Sequence, residues 1–412
     1  MAEGGARPQS IHSSSFVEIR HSMIATSFFH SAWPRTILLV ISISMGSGDF
    51  VLAQSLVYDQ FRSEESLEAD SPGGFDSGTA LPEIEIPSTA PLSNAPLLPA
   101  PLLVPGHSPI VRSPCDPDYW IVSSRNCKQQ LDCNQNCQFG VYRFDGPGPG
   151  RASSLEELYA ALPPNVPICF MVHGSFVIWD SMLKDSAETY RWVKNAAPDR
   201  PVQMVFFTWP SDDTSRWLPN SIDIADARRS GMTAELNALY LAELISHVPD
   251  SNPVCLMGHS HGARMVSAAL HLLAGGRVEE RFFVGGKFRQ QRIRAVLAAA
   301  AMDHDWFNPG ERYDLALTRA EAMINLRNRH DFPLLFHPTH QIFASRALGR
   351  SGLTSLDQRQ LGIDLCRVRD CDVTRLIGCR HVWPYYYRQP AIAATIRHYV
   401  YFDDAQAARS PQ

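Results

Sequence analysis

Pro253 to Ala263, reading PVCLMGHSHGA, narrows what this chain can fold into more than any other stretch. The apolar run Pro253 to Met257 is short and almost continuous. That is the pattern of a strand buried on both faces of a parallel sheet; a half-exposed strand would alternate. Gly258-His259-Ser260-His261-Gly262 follows with no spacer, and Ala263 to Leu273 then carries the small and apolar residues of a helix. Between strand and helix, G-x-S-x-G reads as a sharp turn that lifts a serine hydroxyl clear of the backbone. The crowding of such a turn leaves no room for side chains two residues either side of the serine, which accounts for Gly258 and Gly262. The next amide, that of His261, opens the helix, where N–H groups are unpaired and the dipole favours an anion.

The chain around this stretch alternates strands with helices. Gln138 to Phe144 reads as a strand, and Ser153 with Glu156 as a capping box for a helix over Leu155 to Leu162. Pro167 to Val172 is a buried strand ending in His173-Gly174-Ser175-Phe176, followed by a helix from Ile178 to Ala196. Val202 to Phe207 is another strand, ending Thr208-Trp209-Pro210-Ser211, and Ser221 to Val248 a long helix. After the Ser260 turn, strands are expected at Ile293 to Ala301, Ala322 to Leu326 and Gly362 to Val368, and Pro390 to Tyr401 closes as a helix. The expected fold is α/β: a mostly parallel sheet with helices on both faces and its site at the carboxyl ends of the strands.

A serine hydroxyl needs a base, and the base needs an acid to orient it. In a strand–turn–helix frame these follow the serine in the order acid, then histidine. Asp331 lies past the strand Met323-Ile324-Asn325-Leu326, and Asp303 and Asp305 are its rivals. Asp331 also reads as a helix N-cap before Phe332-Pro333-Leu334. His381, in Gly378-Cys379-Arg380-His381-Val382-Trp383, sits where a loop should join the last strand to the last helix. His337 and His340 come too early, and His398 falls on the final helix.

The set HGSF, TWPS, GHSHG, a strand followed by Asp, and a late loop histidine resembles the α/β-hydrolase superfamily. TWPS before a long helix is similar to a bacterial group of esterase- or lipase-like members whose substrates are unknown. The resemblance covers about Cys169 to Val400. It implies an α/β-hydrolase fold, Ser260 as nucleophile, Asp331 as acid and His381 as base. It further implies an oxyanion loop at His173-Gly174, where the amide of Ser175 or Phe176 joins that of His261. The chain departs from relatives at His261, where Met or Gln is frequent, and His259 also flanks the serine; an imidazolium there either aids anion binding or is a solvated neighbour. The implied activity is hydrolysis of a carboxylic ester or related acyl group, on a small molecule or a lipid, without cofactor or metal. The alternatives are a non-catalytic exported protein that keeps the scaffold for binding, and a peptidase.

The remaining sequence bounds the setting. Ile37 to Met45 (ILLVISISM) is too short for a bilayer, which takes ~20 apolar residues, but matches the apolar core of an export signal, with Val51-Leu52-Ala53 as a cleavage site. Residues 1–53 are therefore expected to be a leader that brings the chain near a membrane or wall, and the product exported, or anchored where the leader stays. Residues 54–114, rich in Pro and Ser, read as a disordered linker, and 115–405 as the catalytic domain with a Cys-rich extension. Cys115, Cys127, Cys133 and Cys137 are expected as disulfide partners of unread connectivity, since no histidine nearby completes a zinc set. Cys169 and Cys255 are expected as buried thiols. Net charge is −5, and the one basic stretch, Arg277 to Arg294, contains Glu279 and Glu280; it reads as a solvated hairpin or loop, and no nucleic-acid partner is expected.

Overall fold

The computed structural model describes residues 117–127, 137–146, 148–212, 224–283, 290–339 and 345–403. The leader, the Pro/Ser-rich linker, Cys115, Cys133 and His340 lie outside the described residues.

Eleven strands are described: β1 Tyr119–Ser123, β2 Gly140–Phe144, β3 Arg151–Ser153, β4 Ile168–Val172, β5 Gln203–Thr208, β6 Val254–His259, β7 Arg277–Val278, β8 Arg281–Phe282, β9 Ile293–Ala298, β10 Ala322–Arg327 and β11 Val368–Asp372. Nine of them form one sheet in the order β11-β10-β9-β6-β4-β5-β1-β2-β3. From β11 to β1 every neighbouring pair is parallel; the pairs β1–β2 and β2–β3 are antiparallel, so β2 alone runs against the other strands of the sheet. The principal helices are α1 Leu155–Ala160, α2 Trp179–Ala196, α3 Ile224–Ser246, α4 His261–Leu273, α5 Ser355–Leu361 and α6 Pro390–Tyr401.

The parallel strands bury side chains on both faces, which is why their sequences are continuous in apolar residues. In β4, Ile168, Phe170 and Val172 belong to one core, with Ala238 and Leu241 of α3 and Met265 and Val266 of α4. Cys169 and Met171 point the other way, into a second core with Tyr190 and Val193 of α2 and Ile392 and Ile396 of α6. Helices thus cover both faces, as expected. Cys169 and Cys255 are partners across β4 and β6, both buried.

Three local expectations shift. The capping residue of α1 is Ser154, whose side chain accepts from the amide of Glu157, one position later than expected. Gly362–Arg367 forms a 3₁₀ turn, and the last strand is the following Val368–Asp372. Its sequence, VRDCD, is that of an edge strand, paired among the described residues with β10 alone, where charge is tolerated and guards against further pairing. The chain also begins its sheet earlier than expected, with β1, which is buried throughout. The basic stretch does open with a small hairpin, β7 with β8. A Cys127–Cys137 disulfide joins the chain after β1 to the chain before β2.

The chain leaves β4 for β5 on one side of it and returns to β6 on the other. Such a reversal, at the carboxyl ends of β4 and β6, is the place where open α/β sheets hold their ligands.

Candidate active site

Ser260 sits between the end of β6 and the first residue of α4, with φ 54° and ψ −122°. An L-residue rarely adopts that conformation, so neighbours must hold it. Its amide donates to the carbonyl of Ala298 at 2.9 Å, and its own carbonyl accepts from the amides of Ala263 at 3.0 Å and Ala301 at 3.3 Å. The flanking glycines are there for space. A Cβ on Gly258 would lie 2.5 Å from the carbonyl oxygen of Gly262 and 2.6 Å from the Cα of Ala263. A Cβ on Gly262 would run into the carbonyl oxygens of Val172 and His173 at the end of β4. Below the turn, Arg264 of α4 grips the buried carboxylate of Glu235 on α3 at 2.9 Å, and Arg312 and Tyr313 hold the same carboxylate. That network fixes how α4 leaves the serine.

His381 reaches the serine from the loop before α6. Its Nε2 is 3.0 Å from Ser260 Oγ and its Nδ1 2.8 Å from Asp331 Oδ2. With Nδ1–H donating to the carboxylate, Nε2 is left to accept the serine proton. Asp331 is fully buried, and its other oxygen accepts the amide of Leu334 at 3.0 Å. Asp331 thus caps the turn after β10 with one oxygen and faces the His381 ring with the other.

The loop that carries His381 is tied down through three consecutive carbonyls. The amide of Phe332 donates to Cys379 O at 3.4 Å, Asn328 Nδ2 to Arg380 O at 3.0 Å, and His259 Nε2 to His381 O at 2.8 Å. Two donors come from the Asp331 loop and one from the residue before the serine.

The two histidines beside the serine differ from expectation in one respect each. His259 is buried, and burial pushes its imidazole down to about 3, with His381 adding to the shift. It is neither a cation nor solvated. His261 Nδ1 pairs with Ser175 Oγ at 2.8 Å, which joins the first turn of α4 to the loop after β4.

That loop is braced from β5. His173 is buried; its Nδ1 donates to Gly174 O at 2.8 Å, and its Nε2 accepts from Thr208 Oγ1 at 2.8 Å. Burial pushes this imidazole down to about 3, so it is neutral. Thr208 Oγ1 in turn accepts Arg125 Nε at 2.9 Å. Trp209 stacks on His173 and donates Nε1 to its carbonyl at 3.0 Å. The amide of Phe176 is taken by Ser211 O at 2.8 Å, whereas the amide of Ser175 makes no hydrogen bond among the described residues. Of the two amides expected to serve an oxyanion, Ser175 is the one free to do so.

The rival residues are elsewhere. Asp303 pairs with His337 at 2.7 Å, Ser345 donates its hydroxyl to Asp305 at 2.8 Å, and His398 faces Arg294. Sequence reasoning missed Arg125, Asn328 and the part of Thr208 and Ser211 in bracing the loop. The TWPS string was a usable signal for the last two; Arg125 and Asn328 carried none. Among the described residues no group of three or more His, Cys, Asp or Glu is arranged to hold a metal ion, and no helix is long and apolar enough to cross a membrane.

No family model matches the chain, and no curated protein matches it in sequence. Among solved structures, an acetyl xylan esterase aligns at 11% identity with a TM-score of 0.31, over 59% of this chain and 98% of that one. The catalytic core domain of acetyl xylan esterase from Trichoderma reesei aligns at 12% identity with a TM-score of 0.28, over 59% and 96%.

Proposed function

We propose that this chain is a serine hydrolase of the α/β-hydrolase type that acts on a carboxylic ester or a related acyl substrate. The observation that carries the reading is the unbroken series Asp331 Oδ2–His381 Nδ1 and His381 Nε2–Ser260 Oγ, at 2.8 and 3.0 Å, ending on a serine held in a strained turn. Ser260 Oγ attacks the acyl carbon as its proton passes to His381 Nε2. Asp331 keeps the ring in the tautomer that accepts and stabilises the imidazolium. The amides of His261 and Ser175 receive the developing oxyanion, a role in which one donor is typically worth ~100–1,000-fold in kcat. His381 then protonates the leaving alcohol, and water repeats the sequence on the acyl-enzyme. A carboxylic ester is the substrate class that asks least of such a site. Export of the chain belongs to the same proposal, supported by the apolar run before Val51-Leu52-Ala53 and by the Cys127–Cys137 disulfide, which suits an oxidising compartment.

The test is a fluorophosphonate probe together with p-nitrophenyl esters of graded chain length. Ser260 is expected to be labelled, and Ser260→Ala to lose both labelling and turnover with its circular dichroism unchanged. Turnover retained by Ser260→Ala rejects the assignment; absence of labelling and turnover in the unaltered protein favours a binding protein built on the same scaffold.

A further inference from the structure

We infer that His259 is a positioning residue that sets the height of the base: its Nε2–H holds the backbone carbonyl of His381, so that the residue before the nucleophile fixes the histidine that serves the nucleophile. The inference rests on the serine-hydrolase reading and adds to it a residue that touches neither the substrate nor the reacting atoms.

The bond is 2.8 Å long and joins residues 122 apart in the chain. It completes the set of three carbonyls, Cys379, Arg380 and His381, by which the loop is held. The other two donors come from residues 328 and 332, which move with Asp331. They fix His381 relative to the acid but not relative to the serine. His259 supplies that second reference, because it is covalently next to Ser260 and lies on the last position of β6. The direction of the bond is unambiguous. A carbonyl only accepts, so Nε2 must carry the proton and the neutral ring must be the Nε2–H tautomer.

The ring has little freedom. It packs against Trp383 at 5.8 Å and Tyr386 at 5.9 Å between centroids, both on the chain just after His381. On its other edge, a Cβ on Gly174 would lie 2.9 Å from Nδ1, so the oxyanion loop closes on it without a side chain between. One imidazole therefore meets the nucleophile turn, the oxyanion loop and the base loop. Release of the carbonyl would let His381 drift along the Asp331 contact, and displacements near 1 Å of reacting groups can lower rates by ~100-fold.

The test compares His259→Phe with His259→Gln. Phenylalanine keeps the ring and removes the donor; glutamine removes the ring and can place Nε2 as a donor in nearly the same position. With a p-nitrophenyl acetate assay, His259→Phe is expected to lower kcat about 10–100-fold with KM little changed. Fluorophosphonate labelling of Ser260 should slow by the same factor, and His259→Gln should recover most of both. A purely packing role predicts the reverse order, with phenylalanine active and glutamine impaired, and that result overturns the inference. Should His259→Phe not fold, ¹⁵N-histidine NMR of the unaltered protein gives a separate readout: an exchange-protected Nε2–H on His259 supports the bond, and an Nδ1–H tautomer overturns it. An unaltered protein with neither turnover nor labelling removes the serine-hydrolase reading itself. That outcome is distinct from an active protein indifferent to His259→Phe, which removes only this inference.

Discussion

Ser260 combines a hydroxyl facing His381 with an unfavourable backbone, and the two can be separated by mutation. Its φ of 54° and ψ of −122° lie in a region that costs an L-residue on the order of 1–3 kcal/mol. Glycine relieves that strain at the expense of ~0.5–1 kcal/mol of extra freedom in the unfolded chain. Ser260→Gly and Ser260→Ala should therefore be equally inactive, yet Ser260→Gly should be the more stable by about 1 kcal/mol, read from urea midpoints at equal slope. Equal midpoints would show that the turn is not strained. The histidines make the same point about context. His259, His261 and His381 are chemically one side chain, but one donates to a carbonyl, one meets the Ser175 hydroxyl and one bridges the Asp331 carboxylate and the Ser260 hydroxyl. Sequence spacing singled out His381 by its place between the last strand and the last helix. It offered nothing to distinguish His259 from a solvated neighbour, because burial is not a property of the residue.

At the scale of elements, the site is an agreement between the ends of β4, β5 and β6 and the starts of α4 and the His381 loop. Gly262 shows how tight that agreement is. Its hydrogen faces the carbonyls of Val172 and His173, backbone atoms that cannot rotate away as a side chain would. Gly262→Ala should cost about 1–3 kcal/mol from overpacking and shift the loop bearing Ser175, so that turnover of p-nitrophenyl acetate under the proposed function falls even where the variant stays fully folded. Gly146→Ala, where an added Cβ meets nothing within 4 Å, is the control and should change neither quantity. A Gly262→Ala protein with full turnover would mean that β4 and α4 can separate without consequence for the site. The elements that were easy to read from sequence were those buried on both faces. β11 begins later than the sequence pattern suggests because an edge strand carries charge, and β1 gives little signal because it follows directly on a long Pro-rich stretch.

For the molecule as a whole, burial of histidines makes stability depend on pH in a definite direction. Burial holds His173 and His259 down near 3 and also lowers His271 and His337. In the unfolded chain each takes a proton near pH 6.5. Between there and the lower folded value the unfolded state binds more protons, so stability is full above about pH 6.5 and falls with acidification. Each such histidine contributes up to about 1.4 kcal/mol per pH unit. Between about pH 6.5 and 4.5 carboxylates are still mostly ionised in the unfolded chain, so the histidines dominate this window. Thermal midpoints should drop steadily across it, and His259→Gln should flatten the slope. A midpoint constant from pH 6.5 to 4.5 would contradict the burial of these rings.

The sequence by itself determined the alternation of strand and helix, the parallel core and the turn at Ser260, because each is written in neighbouring residues: apolar runs, flanking glycines, helical spacing. It also narrowed the acid and the base to a few positions through their order along the chain. Only the tertiary structure shows which of these positions lie beside the serine. Asp331 and Asp303 both follow strands, so local pattern does not separate them, whereas His381 is already preferred over His337 by its place before the last helix; the fold brings Asp331 and His381 to the serine and pairs Asp303 with His337. Hydrogen bonds between residues fifty to more than a hundred apart decide that choice, and contacts of that kind exist only once the chain has closed on itself.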